Sequence, residues 1–172
     1  MSSYLETAKA AMNFINTRKK QGPEGIYWSL QDAAEGRKIY YDEICMYAGA
    51  SGIICFLLGL YDAAKDESYL AEAEEAAKYI IYRWHHDRSL KRNFSQYAFS
   101  SGWSGAGFAL TRLYLATGKQ EYEEAVASII EQAQKDAKPG AGGRGYSWSS
   151  FPGIVGDAGT VLFLLLAADT YK

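Results

Sequence analysis

The chain has 172 residues, 48% of them hydrophobic, and its 18 Lys+Arg against 20 Asp+Glu leave a net charge of −2. This is the composition of one globular domain, not of a disordered chain, and without a basic cluster it excludes nucleic acid and anionic membrane surfaces as partners. The longest apolar run, 160–168, is far short of the roughly 20 residues of a membrane span, and two cysteines make no disulfide framework, so a cytoplasmic protein is expected.

The chain opens without the basic start and apolar run of a signal peptide. Ser3-Tyr4-Leu5-Glu6 reads instead as a capping box. Tyr4, Leu5, Ala8, Ala11, Met12 and Ile15 follow at the 3-to-4 spacing of an amphipathic helix, which fades into Arg18-Lys19-Lys20 before Gly22-Pro23. Residues 23–48 form a connection rich in aromatics, long enough to be functional or to carry structure of its own. A hairpin is expected there, with strands at 26–30 and 37–44 and a turn at Glu35-Gly36.

Residues 52–64 are apolar nearly all round, the mark of a helix buried on several sides. Residues 66–83 carry a single inward stripe including Tyr69, Leu70, Ala73, Ala76, Ala77 and Ile80, with Glu74 and Lys78 as an i,i+4 pair on the wet face. The plan then repeats. A second all-apolar helix spans about 104–117 and ends at Gly118, and a second one-striped helix spans about 120–135. The glycine-rich 139–145 is the stretch with the most backbone freedom. A third apolar helix at about 157–170 has no striped helix after it.

One motif organises this alternation. Gly49-Ala50-Ser51-Gly52 precedes the first apolar helix, Gly102-Trp103-Ser104-Gly105 the second and Gly156-Asp157-Ala158-Gly159 the third. Gly49, Gly102 and Gly156 lie 53 and then 54 residues apart, and Tyr61/Tyr114 and Tyr69/Tyr122 keep the 53-residue step. A shared period of this length means one supersecondary unit copied along the chain. The units are about 4–48, 49–101, 102–155 and 156–172 of a single domain. The first starts on its second helix, because Tyr4-Leu5, Ala8 and Ala11 align with Tyr69-Leu70, Ala73 and Ala76. Fully apolar helices alternating with striped ones call for two concentric layers: an all-α fold, an α/α toroid or solenoid of hairpins. Three inner and three outer helices make about half of a six-hairpin ring.

The repeated Gly-x-x-Gly before an apolar helix, followed by Leu-Tyr-x-x-(Ala/Thr)-x-(Asp/Lys)-x-x-Tyr-Leu, resembles the lanthionine synthetase C-like family, and specifically its N-terminal half. The resemblance implies an α/α toroid. It also implies kinship with zinc cyclases that add a cysteine thiol to a dehydrated serine or threonine of a peptide. That zinc is held by two cysteines and a histidine from late repeats, including a Cys-His-Gly motif. Nothing here matches it: Cys45 and Cys55 lie in an early repeat, and His85-His86 close an outer helix. No metal ligand and no cofactor is therefore assigned to this chain.

The site candidates cluster at the inner-helix starts, which face the mouth of such a ring. Asp157, in the first turn of the third inner helix, is the first carboxylate to consider as catalytic, although capping suits it better. Asp42, beside Tyr41, is the second. Trp28, Tyr41, Trp103 and Trp148 fall at the same end of the units and either grip a peptide or small carbohydrate as an aromatic rim or plug the ring. The glycines 49, 52, 102, 105, 156 and 159 are structural, allowing a tight turn and close helix approach. Three readings stand: a peptide-modifying family member, a carbohydrate-active toroid, which would need two inward carboxylates, and a non-catalytic binding module. Half a ring leaves apolar flanks open, so either a homo-oligomer or a C-terminal continuation is expected.

Overall fold

The computed structural model describes residues 3–29, 41–90, 96–149 and 151–172. Among the described residues six α-helices carry the fold: α1 (Ser3–Asn16), α2 (Ala50–Ala64), α3 (Glu67–His86), α4 (Trp103–Thr117), α5 (Gln120–Lys135) and α6 (Asp157–Thr170). Helices α2, α4 and α6 lie side by side in chain order as the inner layer, while α3 packs on α2 and α5 on α4 as the outer layer. The fold is all-α, and its layering is that of an α/α toroid. The inner face of this layering holds Ile54, Leu57, Leu110, Leu113 and Phe163, all fully buried. The outer helices contribute Ala73, Ala76 and Ala77 from α3 and Ala125, Val126 and Ile129 from α5. Small residues on the outer stripe let the two layers approach closely.

The paired glycines act differently from the expectation. Gly49 and Gly102 have φ of −128° and −130° in an extended backbone open to any residue, and Gly156 too has a negative φ, −130°. What excludes a side chain is space. A Cβ on Gly49, Gly102 or Gly156 would come within 3.0 Å of the carbonyl oxygen of Glu43, Gln96 or Phe151 respectively. On Gly52, Gly105 and Gly159 it would meet the carbonyls of Met46, Phe99 and Ile154 just as closely. In every unit the incoming loop folds back over the helix start. It is pinned there by Ala50 N–H to Glu43 O (2.7 Å), Trp103 N–H to Gln96 O (2.9 Å) and Asp157 N–H to Phe151 O (2.8 Å). These bonds also satisfy amides that a helix N-terminus leaves without partners.

Several local expectations change. The hairpin is built from other partners: β1 (Lys19–Gln21) pairs antiparallel with β2 (Ile26–Trp28), Lys20 opposite Tyr27. The turn at Gly22–Gly25 is closer in sequence than the proposed partner, and loop closure favours the shorter connection. Residues 41–44 are not strand, and the rest of the second strand, with Glu35-Gly36, lies outside the described residues. The cations Lys19 and Lys20 sit in β1, not at the end of α1, which stops at Asn16. Ser3 is the first helical residue of α1 rather than its cap. Lys78 pairs with Glu75 at 2.5 Å, and Glu74 pairs with Lys119 of the next unit instead. The glycine-rich stretch is ordered into a small ribbon, β3 (Lys138–Pro139) against β4 (Tyr146–Ser147).

Candidate functional site at the inner-helix starts

The loops that fold over the helix starts all gather at one end of the layer. Main-chain and side-chain bonds tie them across units: Tyr47 N–H donates to Ser100 O (2.9 Å), and the Thr160 hydroxyl of α6 donates to Tyr97 O (2.6 Å). Between them opens a cavity of 270 Å³ lined by Tyr41, Tyr47, Ser100, Ser101, Phe151 and Val155. Each of the three loops supplies two of these residues. The Tyr41 and Tyr47 rings lie 4.8 Å apart, and Tyr47 and Phe151 remain 70% and 48% exposed. An apolar, aromatic-walled cavity with a few hydroxyls is the usual makeup of a small-ligand or side-chain pocket.

Of the aromatic residues singled out from the sequence, Tyr41 is the one that lines this cavity. Trp103 is fully buried, set edge-on against Trp84 at 5.0 Å, and its indole N–H donates to Arg88 O. Trp28, the last residue of β2, is 3% exposed and packs into the core. The Trp148 indole N–H donates to Ala133 O at the end of α5, and the ring is half-buried against the core. The three tryptophans are thus held in or against the core, and the exposed aromatic rings lining the cavity are Tyr47 and Phe151. Neither had a distinguishing sequence signal; only the folding-back of the loops brings them together.

Both candidate carboxylates hold loops in place. Asp157 accepts from Ser147 Oγ (2.6 Å) on one oxygen, and on the other from Trp148 N–H (3.0 Å), Ser149 N–H (2.9 Å) and Ser149 Oγ (2.8 Å). Partial burial pushes its pKa up, but these hydrogen bonds outweigh burial and hold the carboxyl below its ordinary value. Asp42 is 3% exposed and takes a two-pronged contact from Arg83, at 3.2 and 3.3 Å. Burial works against the Arg83 charge, yet its bond to the Tyr79 hydroxyl and the nearby Asp42 keep it more firmly protonated than a free arginine. This pair ties the loop before α2 to the end of α3.

The thiols and imidazoles stand apart. Cys45 is fully buried and its sulfur accepts from Ala48 N–H, while Cys55 lies in α2. Burial pushes both thiols above the usual cysteine range, the reverse of what a nucleophile or metal ligand needs. His86 stacks on Tyr82 at the exposed end of α3. Among the described residues no three His, Cys, Asp or Glu side chains converge as a metal-binding group would require, and no helix is long and apolar enough to cross a membrane.

Compared with known families, residues 40–172 match the family described as lanthionine synthetase C-like protein. A search of curated proteins gives no significant match.

Proposed function

From the premise that the chain belongs to the lanthionine synthetase C-like family, we propose that it is a peptide-docking member of that family whose mouth cavity receives an apolar side chain of the peptide. The cavity built from all three loops supports this reading. Its 270 Å³ falls just under the roughly 300–1,000 Å³ of pockets that enclose a whole small ligand, so it suits one or two side chains of a longer chain lying across the mouth. Tyr47 and Phe151 offer flat apolar faces, and the Ser100 and Ser101 hydroxyls offer hydrogen bonds to peptide amides.

The residues present do not fit the family's zinc. The two cysteines are separated by burial and position, their sulfurs are raised rather than depressed in pKa, and the histidines lie at the outer end of α3. No thiol-addition step is therefore derived for this chain, and the protein is expected to purify without stoichiometric zinc; elemental analysis finding one zinc per chain would overturn that assignment. A carbohydrate-cleaving role is the weaker alternative. It needs an acid and a base or nucleophile, and both mouth carboxylates are engaged in hydrogen bonds that organise loops.

Calorimetric titration separates the readings. A short peptide carrying a dehydrated serine and flanking Phe or Leu should bind, and Tyr41→Ala or Phe151→Ala should weaken it on the order of tenfold, about 1.4 kcal/mol. Binding of a neutral oligosaccharide but not of the peptide would reverse the assignment.

A further inference from the structure

The connection from α5 to α6 builds a second recess beside the mouth. After α5 the chain turns through β3 and β4, with Pro139 opposite Tyr146. Gly140 N–H donates to Gly145 O (3.0 Å) and Gly143 N–H to Gly140 O (2.9 Å), which closes the tip. Gly143 and Gly145, on either side of Arg144, have φ of 73° and 64°, a conformation that favours glycine, so the tip is a shaped turn that presents Arg144. The chain then runs back past Asp157, whose carboxylate holds Ser147, Trp148 and Ser149. Ribbon and loop become the two walls of an open groove of 930 Å³, with Lys138, Arg144 and Tyr146 on one and Ser149, Pro152 and Asp157 on the other. These residues all come from 138–157, so the groove is set by local turns rather than by packing between units.

Its charge is one-sided. Asp157 is the one acid among the described lining residues, and its two oxygens already accept four hydrogen bonds. Lys138 and Arg144 are exposed, and among the described residues neither side chain has an ion-pair or hydrogen-bond partner. The lysines around the helices do find acids: Lys9 pairs with Glu6, Lys119 with Glu74 and Lys135 with Glu131. In a chain of net charge −2, two unpaired cations in one groove form a local positive site. A guanidinium offers a planar fork that matches a carboxylate, and an ammonium adds a second charge on a flexible stem. Tyr146, 74% exposed, supplies a flat face for the methylenes that carry the carboxylate.

The third loop belongs to both recesses. Its Phe151 and Val155 line the mouth cavity, whereas Ser149 and Pro152, interleaved with them in sequence, line the groove. The loop is a partition one chain thick, so a peptide anchored in the cavity has the groove within a few residues, at about 3.3 Å per residue when extended. We propose that the groove reads acidity in that peptide: a glutamate or aspartate close to the apolar anchor pairs with Arg144 and Lys138. The inference rests on the peptide-docking reading of the mouth and adds the class of sequence that the mouth selects. A charge pair this exposed steers and selects its partner more than it holds it, so basic peptides are turned away at the same place.

Calorimetric titration with short peptides tests this. Each peptide carries one Phe among neutral residues, with Glu, Gln or Lys placed at successive positions on either side. At one spacing the Glu peptide should bind about fivefold tighter than its Gln counterpart, and the Lys peptide more weakly than both. The Lys138→Gln/Arg144→Gln double variant, with both changes on exposed side chains, should keep the far-UV helix signal and bind the Glu and Gln peptides equally. Raising the salt to about 0.5 M should shrink the wild-type gap in the same way. Phe151→Ala should weaken both peptides alike and leave their ratio unchanged. Equal affinities at every spacing, a gap that survives the double substitution, or Lys binding as well as Glu would overturn the proposal while the mouth reading stands. Failure of every Phe-bearing peptide to bind would overturn the mouth reading and this one with it.

Discussion

Gly105→Ala is a test of what the paired glycines do. The added Cβ would fall within 3.0 Å of the Phe99 carbonyl oxygen and 2.9 Å from the Met46 Cβ. One obstacle is backbone and cannot rotate away, so the loop that folds over the start of α4 must shift, straining the Trp103-to-Gln96 hydrogen bond. Overpacking of this kind costs about 1–3 kcal/mol, and a rigid backbone neighbour places it near the top of that range. Replacing glycine by alanine inside a helix returns about 1 kcal/mol. The net is a loss of about 2 kcal/mol, which for a chain of this size lowers Tm by about 4–8 °C. Gly59→Ala in α2 is the internal control: nothing lies within 4 Å of its Cβ, so only the propensity gain of about 1 kcal/mol remains and Tm should rise by about 2–4 °C. Thermal unfolding followed by circular dichroism reads the two with opposite signs. A Gly105→Ala variant that melts at or above its parent would show that the motif tolerates a side chain and that the space argument is wrong.

The Asp42–Arg83 pair joins the mouth loop to α3 at 2% and 12% side-chain exposure. Asp42→Ala should therefore lose about 2 kcal/mol in urea unfolding, since it removes a two-pronged charged contact while Glu43, the Tyr79 hydroxyl and the Ser89 carbonyl stay on the guanidinium; a loss below about 1 kcal/mol would mean that water replaces the carboxylate easily. The Asp157 carboxyl is depressed below its ordinary 3.8 in the folded state. Its stabilising contribution is therefore fully present above that unfolded value and fades as pH falls through the lower folded value. The stability gap between wild type and Asp157→Asn should be flat from neutral pH down to about pH 5 and shrink below about pH 4; a gap that widens on acidification would reverse the sign of the assignment.

The periodic parts of this protein were legible in the sequence because they depend on local pattern alone. Helix α5 (Gln120–Lys135) and α6 (Asp157–Thr170) follow from stripe or all-round apolarity, and the 53-residue step of Gly49 and Gly102 announces a repeated hairpin. The division into inner and outer layers follows as well, because a helix apolar on every side has nowhere to lie except between others. The mouth was a different matter. Whether Trp103 faces solvent or the core depends on Trp84 from another unit, and sequence spacing carries no sign of that partner. Tyr47 and Phe151 become neighbours of one cavity because two loops 104 residues apart each fold back over a helix start. Glycines at those starts could be counted in the sequence. That they make room for a carbonyl rather than a turn depends on the distance between a Cβ that is absent and an oxygen five or six residues earlier in the chain, and only the tertiary structure sets that distance.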